Sequence, residues 1–108
     1  MKIITATAAW DIDRLYILLK QQLNQLFKEH RQSELIFDIE KNGNSIIISK
    51  PGLYDGYLFK ITVEGNELHM AKSEHYVDDV NQLTLQSILE TLQMTRIEGS
   101  DIIYISGE

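Results

Sequence analysis

A chain of 108 residues, 44% of them hydrophobic, can bury one ordinary core without a metal or a disulfide to hold it, so a single domain over residues 1–108 is expected. It contains no cysteine, which excludes disulfides, zinc–thiolate centres and thiol nucleophiles together and suits a reducing, cytoplasmic setting. The formal charge of −6 argues against nucleic acid as a direct partner, because phosphates are neutralised by clustered Lys and Arg.

The start, MKIITATAA, has only Ile3 and Ile4 where a secretory signal needs a longer apolar stretch, so residue 1 is read as part of the folded protein. No apolar run reaches the roughly 18 residues that span a bilayer, and no membrane partner is expected. Ile3 to Thr7 is a candidate short strand. From about Ala8 to Arg31, Ile12, Leu15, Tyr16, Leu19, Leu23, Leu26, Phe27 and His30 recur at steps of three and four, which predicts an amphipathic helix with one buried stripe. Thr7 is its candidate N-cap. Asp11 and Asp13 near the start and Lys28 and Arg31 near the end complement the helix dipole. Ile17 and Leu18 lie off the stripe and widen it, so the helix is expected to touch structure on two sides.

After Ser33 the period switches to two. LIFDIE and SIIIS flank Lys41-Asn42-Gly43-Asn44, and Asn42-Gly43 reads as a two-residue type I′ hairpin loop. That loop would set Ile39 against Ile46 and Phe37 against Ile48, with Leu35 on the same face. A second hairpin, YLFKITV and LHMAK, turns at Gly65-Asn66 and sets Val63 against Leu68 and Ile61 against Met70. Its other face carries Lys60, Thr62, Glu64, Glu67 and His69, with Glu64 directly opposite Glu67. Like charges so placed are mildly destabilising, so this tip is either well solvated or suited to something positive. Pro51-Gly52 marks a turn between the hairpins. A second helix is predicted from Val80 to about Arg96, opened by Asp79 and Gln82 as a capping box, buried along Leu85, Ile88, Leu89 and Leu92, and ended by Gly99. The last segment, DIIYIS, is apolar on both faces and reads as a strand inserted between earlier ones. The order (β)αββββαβ predicts an α+β, two-layer fold: a mostly antiparallel sheet of about five strands with two helices on one face.

No chemistry is announced by motif. The phosphate-cradling patterns G-x-x-x-x-G-K and G-x-G-x-x-G, the G-x-S-x-G elbow and H-E-x-x-H are all missing, so no catalytic residue, metal ligand or cofactor is assigned. His69 and His75 match no familiar zinc spacing. His75, with Glu74, Asp78 and Asp79 nearby, reads as a surface histidine in an acidic loop, and His30 as packed or helix-terminal. The charge distribution is more informative: residues 1–32 carry five Lys/Arg and three Asp/Glu, net +2, and residues 33–108 carry five and thirteen, net −8. Two loops combine tyrosine with carboxylates, one holding Tyr54, Asp55 and Tyr57, the other Glu74, His75, Tyr76, Asp78 and Asp79. Aromatic anchors supply much of the energy of an interface and complementary charge adds rate and selectivity, so these eight residues, with Glu64 and Glu67, are the candidate partner-binding set. Trp10 is expected to pack against the sheet. For Tyr57 and Tyr76 the competing reading is closure of the core edge, with the aspartates capping and solvating.

In size, acidity and element order the whole chain resembles the immunity proteins of bacterial polymorphic-toxin systems, including contact-dependent growth inhibition, although no motif carries the likeness. The resemblance implies a cytoplasmic protein that binds a basic toxin domain one to one, often a nuclease, and covers its active site, being otherwise monomeric. A second likeness is to type III secretion chaperones, which implies a dimer wrapped by an effector segment. A small hydrolase using His75 or His69 is the third reading.

Overall fold

The computed structural model describes residues 1–32, 34–94 and 102–107. The chain runs β1 (Lys2–Ala6), α1 (Ile12–Arg31), β2 (Asp38–Asn42), β3 (Ser45–Ser49), β4 (Tyr57–Glu64), β5 (Glu67–Lys72), a single 3₁₀ turn (Glu74–Tyr76), α2 (Val80–Met94) and β6 (Ile102–Ser106). The strands form one six-stranded sheet in the order β2-β3-β4-β5-β1-β6, with each neighbouring pair antiparallel. The expected α+β two-layer architecture is present. The short first strand, left open by its sequence, is part of the sheet.

Alternation along the strands sorts the sheet into two faces. Ile39, Ile46, Ile48, Phe59, Ile61, Leu68, Met70 and Ile4 are buried on one of them. They join Leu15, Leu19, Leu23 and Phe27 of α1 and Leu85, Ile88, Leu89 and Leu92 of α2 in a single core. The other face, which carries Thr5, Lys60, Thr62, Glu64, Glu67 and His69, is left uncovered by the helices. Lys2 lies on the helix side, and its ammonium meets Glu90 of α2 at 2.6 Å, tying the first strand to the second helix. Lys41 similarly reaches Asp13 of α1 at 2.9 Å.

The long helix starts later than its apolar period suggests, at Ile12, and its cap is Asp11 rather than Thr7. The reason is Trp10. Its backbone N–H donates to the Gly65 carbonyl, and its indole N–H faces the carbonyls of Ile4 and Asn66 at 3.3 and 3.1 Å, which pins the segment before the helix to the sheet and the hairpin turn. The Asp11 carboxylate accepts from the amides of Asp13 and Arg14 at 3.0 and 3.2 Å, satisfying donors that have no partner within the first turn. At the other end Gln32 adopts a left-handed conformation (φ 52°) and its N–H returns to the Lys28 carbonyl. Leu18 packs against the core, whereas Ile17 is half exposed, so the second side of the helix is only partly used. His30 is exposed at the helix end.

The first hairpin turns at Gly43-Asn44, not Asn42-Gly43, so Ile39 pairs with Ile48 and Lys41 with Ile46. The shift is by two residues and therefore keeps every side chain on its expected face. Phe37 precedes the strand but is buried, edge to face with Phe27 at 4.7 Å. The second hairpin has the expected register, with Val63 opposite Leu68 and Ile61 opposite Met70. Where β4 meets β3 the register slips between Ile48 and Ser49, which leaves Leu58 as an extra residue beside Phe59 and lets both be buried.

The final strand is an edge strand rather than an internal one. Among the described residues it pairs with β1 alone, and Tyr104 and Ile105 are exposed. The apolar run therefore goes with an edge position here, not with insertion between earlier strands. Arg96 and Gly99, expected at the end of the second helix, lie outside the described residues.

Candidate functional site

The ten candidate binding residues separate into two groups at opposite ends of the β4–β5 hairpin. Glu64 and Glu67 flank its turn; Tyr57 opens β4, and the other seven lie in the segments before β4 and after β5. The eight residues of β4 set the groups ~24 Å apart.

At the loop end the two tyrosine-containing segments do meet. Tyr54 and Tyr76 pack edge to face with ring centres 4.8 Å apart. The Tyr76 hydroxyl accepts the Asp55 backbone N–H at 2.9 Å, the Tyr54 hydroxyl donates to the Asp79 carboxylate at 2.9 Å, and the Asn81 amide donates to the Tyr54 oxygen at 3.0 Å. The same Asp79 oxygen accepts the amides of Asn81 and Gln82 at 2.8 and 3.3 Å, so it caps α2 as expected. Gln82 does not close the capping box. Its buried side chain instead donates to the Ser73 carbonyl at 2.9 Å. Ser73 is itself buried, its N–H on the Leu58 carbonyl and its hydroxyl accepting the His75 amide. The loop after β5 is thus held on both sides.

This packing corrects the candidate set. Tyr54 is only 7% exposed with its hydroxyl fully engaged, so it cannot anchor a partner. Asp79 is a helix cap, and Tyr76 is partly buried against the core. Burial pushes the Tyr54 hydroxyl above the ordinary tyrosine range; its bond to Asp79 and the negative charge there push the same way, against the Asn81 amide. Asp55, Tyr57, Glu74, His75 and Asp78 remain exposed. All but Asp78 line an open cleft of about 470 Å³, completed by Gly56, Lys72 and Ser73. The cleft carries two carboxylates, Asp55 and Glu74, beside Tyr57, His75 and one lysine, Lys72.

At the far end, Glu64 faces Glu67 across the turn, as the register predicts. His69, two residues beyond Glu67 on the same face, places Nε2 at 2.9 Å from Glu67 Oε1 and 3.3 Å from Glu64 Oε2. Sequence spacing alone did not single out this trio, although the alternation that put all three on one face was the signal for it. Asn81 and Ser73, which help fix the loop end, carried no comparable signal, and Gln82 was legible only as half of a capping box.

Glu90, beside the first strand, titrates below the ordinary carboxylate range. Burial would raise it, but hydrogen bonds from Lys2 and Gln86 and the charges of Lys2 and Lys72 outweigh that. Compared with known protein families, curated proteins and solved structures, the chain matches none. Among the described residues no helix is long and apolar enough to cross a membrane.

Proposed function

We propose that this chain is a binding protein that neutralises a basic toxin domain by covering its active site, as an immunity protein does in the cytoplasm of the producing cell. The observation that carries the reading is the loop-end cleft. Asp55, Glu74 and Asp78 are exposed carboxylates on segments fixed by the Tyr54–Tyr76–Asp79 network, so little ordering cost remains when a partner arrives. Tyr57, exposed at the mouth of the cleft, takes the anchoring role that Tyr54 cannot. A surface of this kind favours Lys and Arg side chains, which line the clefts of proteins that cut nucleic acid. The chain's net charge of −6 steers such a partner from a distance.

The test is co-expression with the toxin domain encoded beside this gene. Growth should be rescued and a one-to-one complex should be recovered by size-exclusion chromatography. Continued toxicity despite soluble expression of both chains would reject the proposal.

A further inference from the structure

We infer that Glu64, Glu67 and His69 form a site for a divalent transition-metal ion of the zinc class, at the tip of the β4–β5 hairpin on the sheet face that the helices leave open. The inference does not depend on the toxin-binding reading, because the tip lies at the opposite end of the hairpin from the cleft.

The donor set follows from register. The Gly65-Asn66 turn places Glu64 opposite Glu67, and strand alternation returns His69 to the same face. One imidazole nitrogen and two carboxylates thus converge, with ligand atoms all within 4.8 Å of one another. A single nitrogen, His69 Nε2, faces both carboxylates, at 2.9 and 3.3 Å. A proton on that nitrogen can align well with only one of them. A metal ion at the same point is shared by all three. In tetrahedral zinc, bonds of about 2.0–2.1 Å set neighbouring donor atoms roughly 3.3–3.5 Å apart, so the two His–Glu spacings are already close to those required.

Charge points the same way. Two carboxylates placed across a ladder repel, and a dication between them cancels both charges. The imidazole donor favours zinc and its transition-metal neighbours over magnesium or calcium, which take oxygen ligands. Three protein ligands leave a fourth position for water or for a side chain of a bound partner. The frame is fixed as well. Asn66 is joined to Ala6 by two hydrogen bonds and to the Trp10 indole by a third, and the His69 side chain is only 20% exposed. Glu64 and Glu67 are open enough to solvent for an ion to enter.

Calorimetric titration of the whole chain with Zn²⁺ tests this. Wild type should show one saturable step of one ion per chain, with no such step for Mg²⁺ at the same concentration. His69→Gln should abolish the step. The exposed Glu64→Gln should weaken it by at least the roughly 10–100-fold that even an outer partner of a metal ligand costs. Thermal unfolding without metal should stay close to wild type in both variants, and Cu²⁺ should quench Trp10, the chain's one tryptophan, in wild type but not in His69→Gln. Absence of the step in wild type, its survival in His69→Gln, or its loss in His75→Gln instead would overturn the assignment.

Discussion

Asp79 shows how one carboxylate can settle the conformation of two segments. Its oxygen caps α2 and accepts the Tyr54 hydroxyl from a loop 25 residues earlier. Asp79→Ala removes a helix cap and leaves a buried hydroxyl without its acceptor, so it should lower stability by about 2 kcal/mol in urea titration. Asp79→Asn, which keeps an accepting oxygen, should recover most of the loss. Tyr54 adds a signature in alkali. Its ionisation lies above the unfolded value, so the stability it contributes is complete below about pH 10 and is lost as pH rises through the folded value. Tyr54→Phe should therefore move the alkaline unfolding midpoint upward, as followed by circular dichroism. Of these two residues only Asp79 could be read from sequence. A cap depends on a side chain and its position, whereas the burial of Tyr54 depends on where two distant loops meet. Thr7 illustrates the converse, since it has cap chemistry but the anchoring of Trp10 to the hairpin turn moves the helix start to Asp11.

The two hairpins share a device that their sequences half reveal. Each turn has positive φ at its glycine, Gly43 at 63° and Gly65 at 60°, and not at the asparagine after it, which is the type II′ form. Each asparagine then pairs with the neighbouring strand. The Asn44 carbonyl accepts from Val63 N–H while its side-chain amide donates to the Val63 carbonyl, and Asn66 does the same with Ala6. The loop expected at Asn42-Gly43 lies one residue later because of this contact with β4, which no local pattern contains. The turn at Gly65-Asn66 was legible at once. Replacing Gly43 or Gly65 by Ala meets open space, so the cost should be conformational alone, about 1–2 kcal/mol each by chemical denaturation. A much smaller loss at both positions would show that the turns relax to another form. The place of the last strand in the sheet was misjudged for a similar reason. Ile102 to Ser106 was judged from hydropathy, but whether a strand lies inside a sheet or at its edge is set by partners elsewhere in the chain.

For the molecule as a whole, the sheet gathers acidic groups at two ends of one hairpin and assigns them different surroundings. At the loop end they stand on a fixed frame around a cleft; at the turn they converge on a histidine. The excess of negative charge after residue 32 was visible in the sequence, and so was the pairing of Glu64 with Glu67. The separation of the two groups was not, because it requires knowing that both tyrosine loops fold to the same end. The central claim, that the loop end receives a basic partner, is tested most directly by stopped-flow association with the toxin domain at low and high salt. Wild type is predicted to associate quickly and to slow steeply as salt rises. The triple variant Asp55→Lys, Glu74→Lys, Asp78→Lys, which leaves the Asp79 cap intact, is predicted to associate at least tenfold more slowly at low salt and to lose that salt dependence. Equal rates and equal salt dependence for the two proteins would contradict the account.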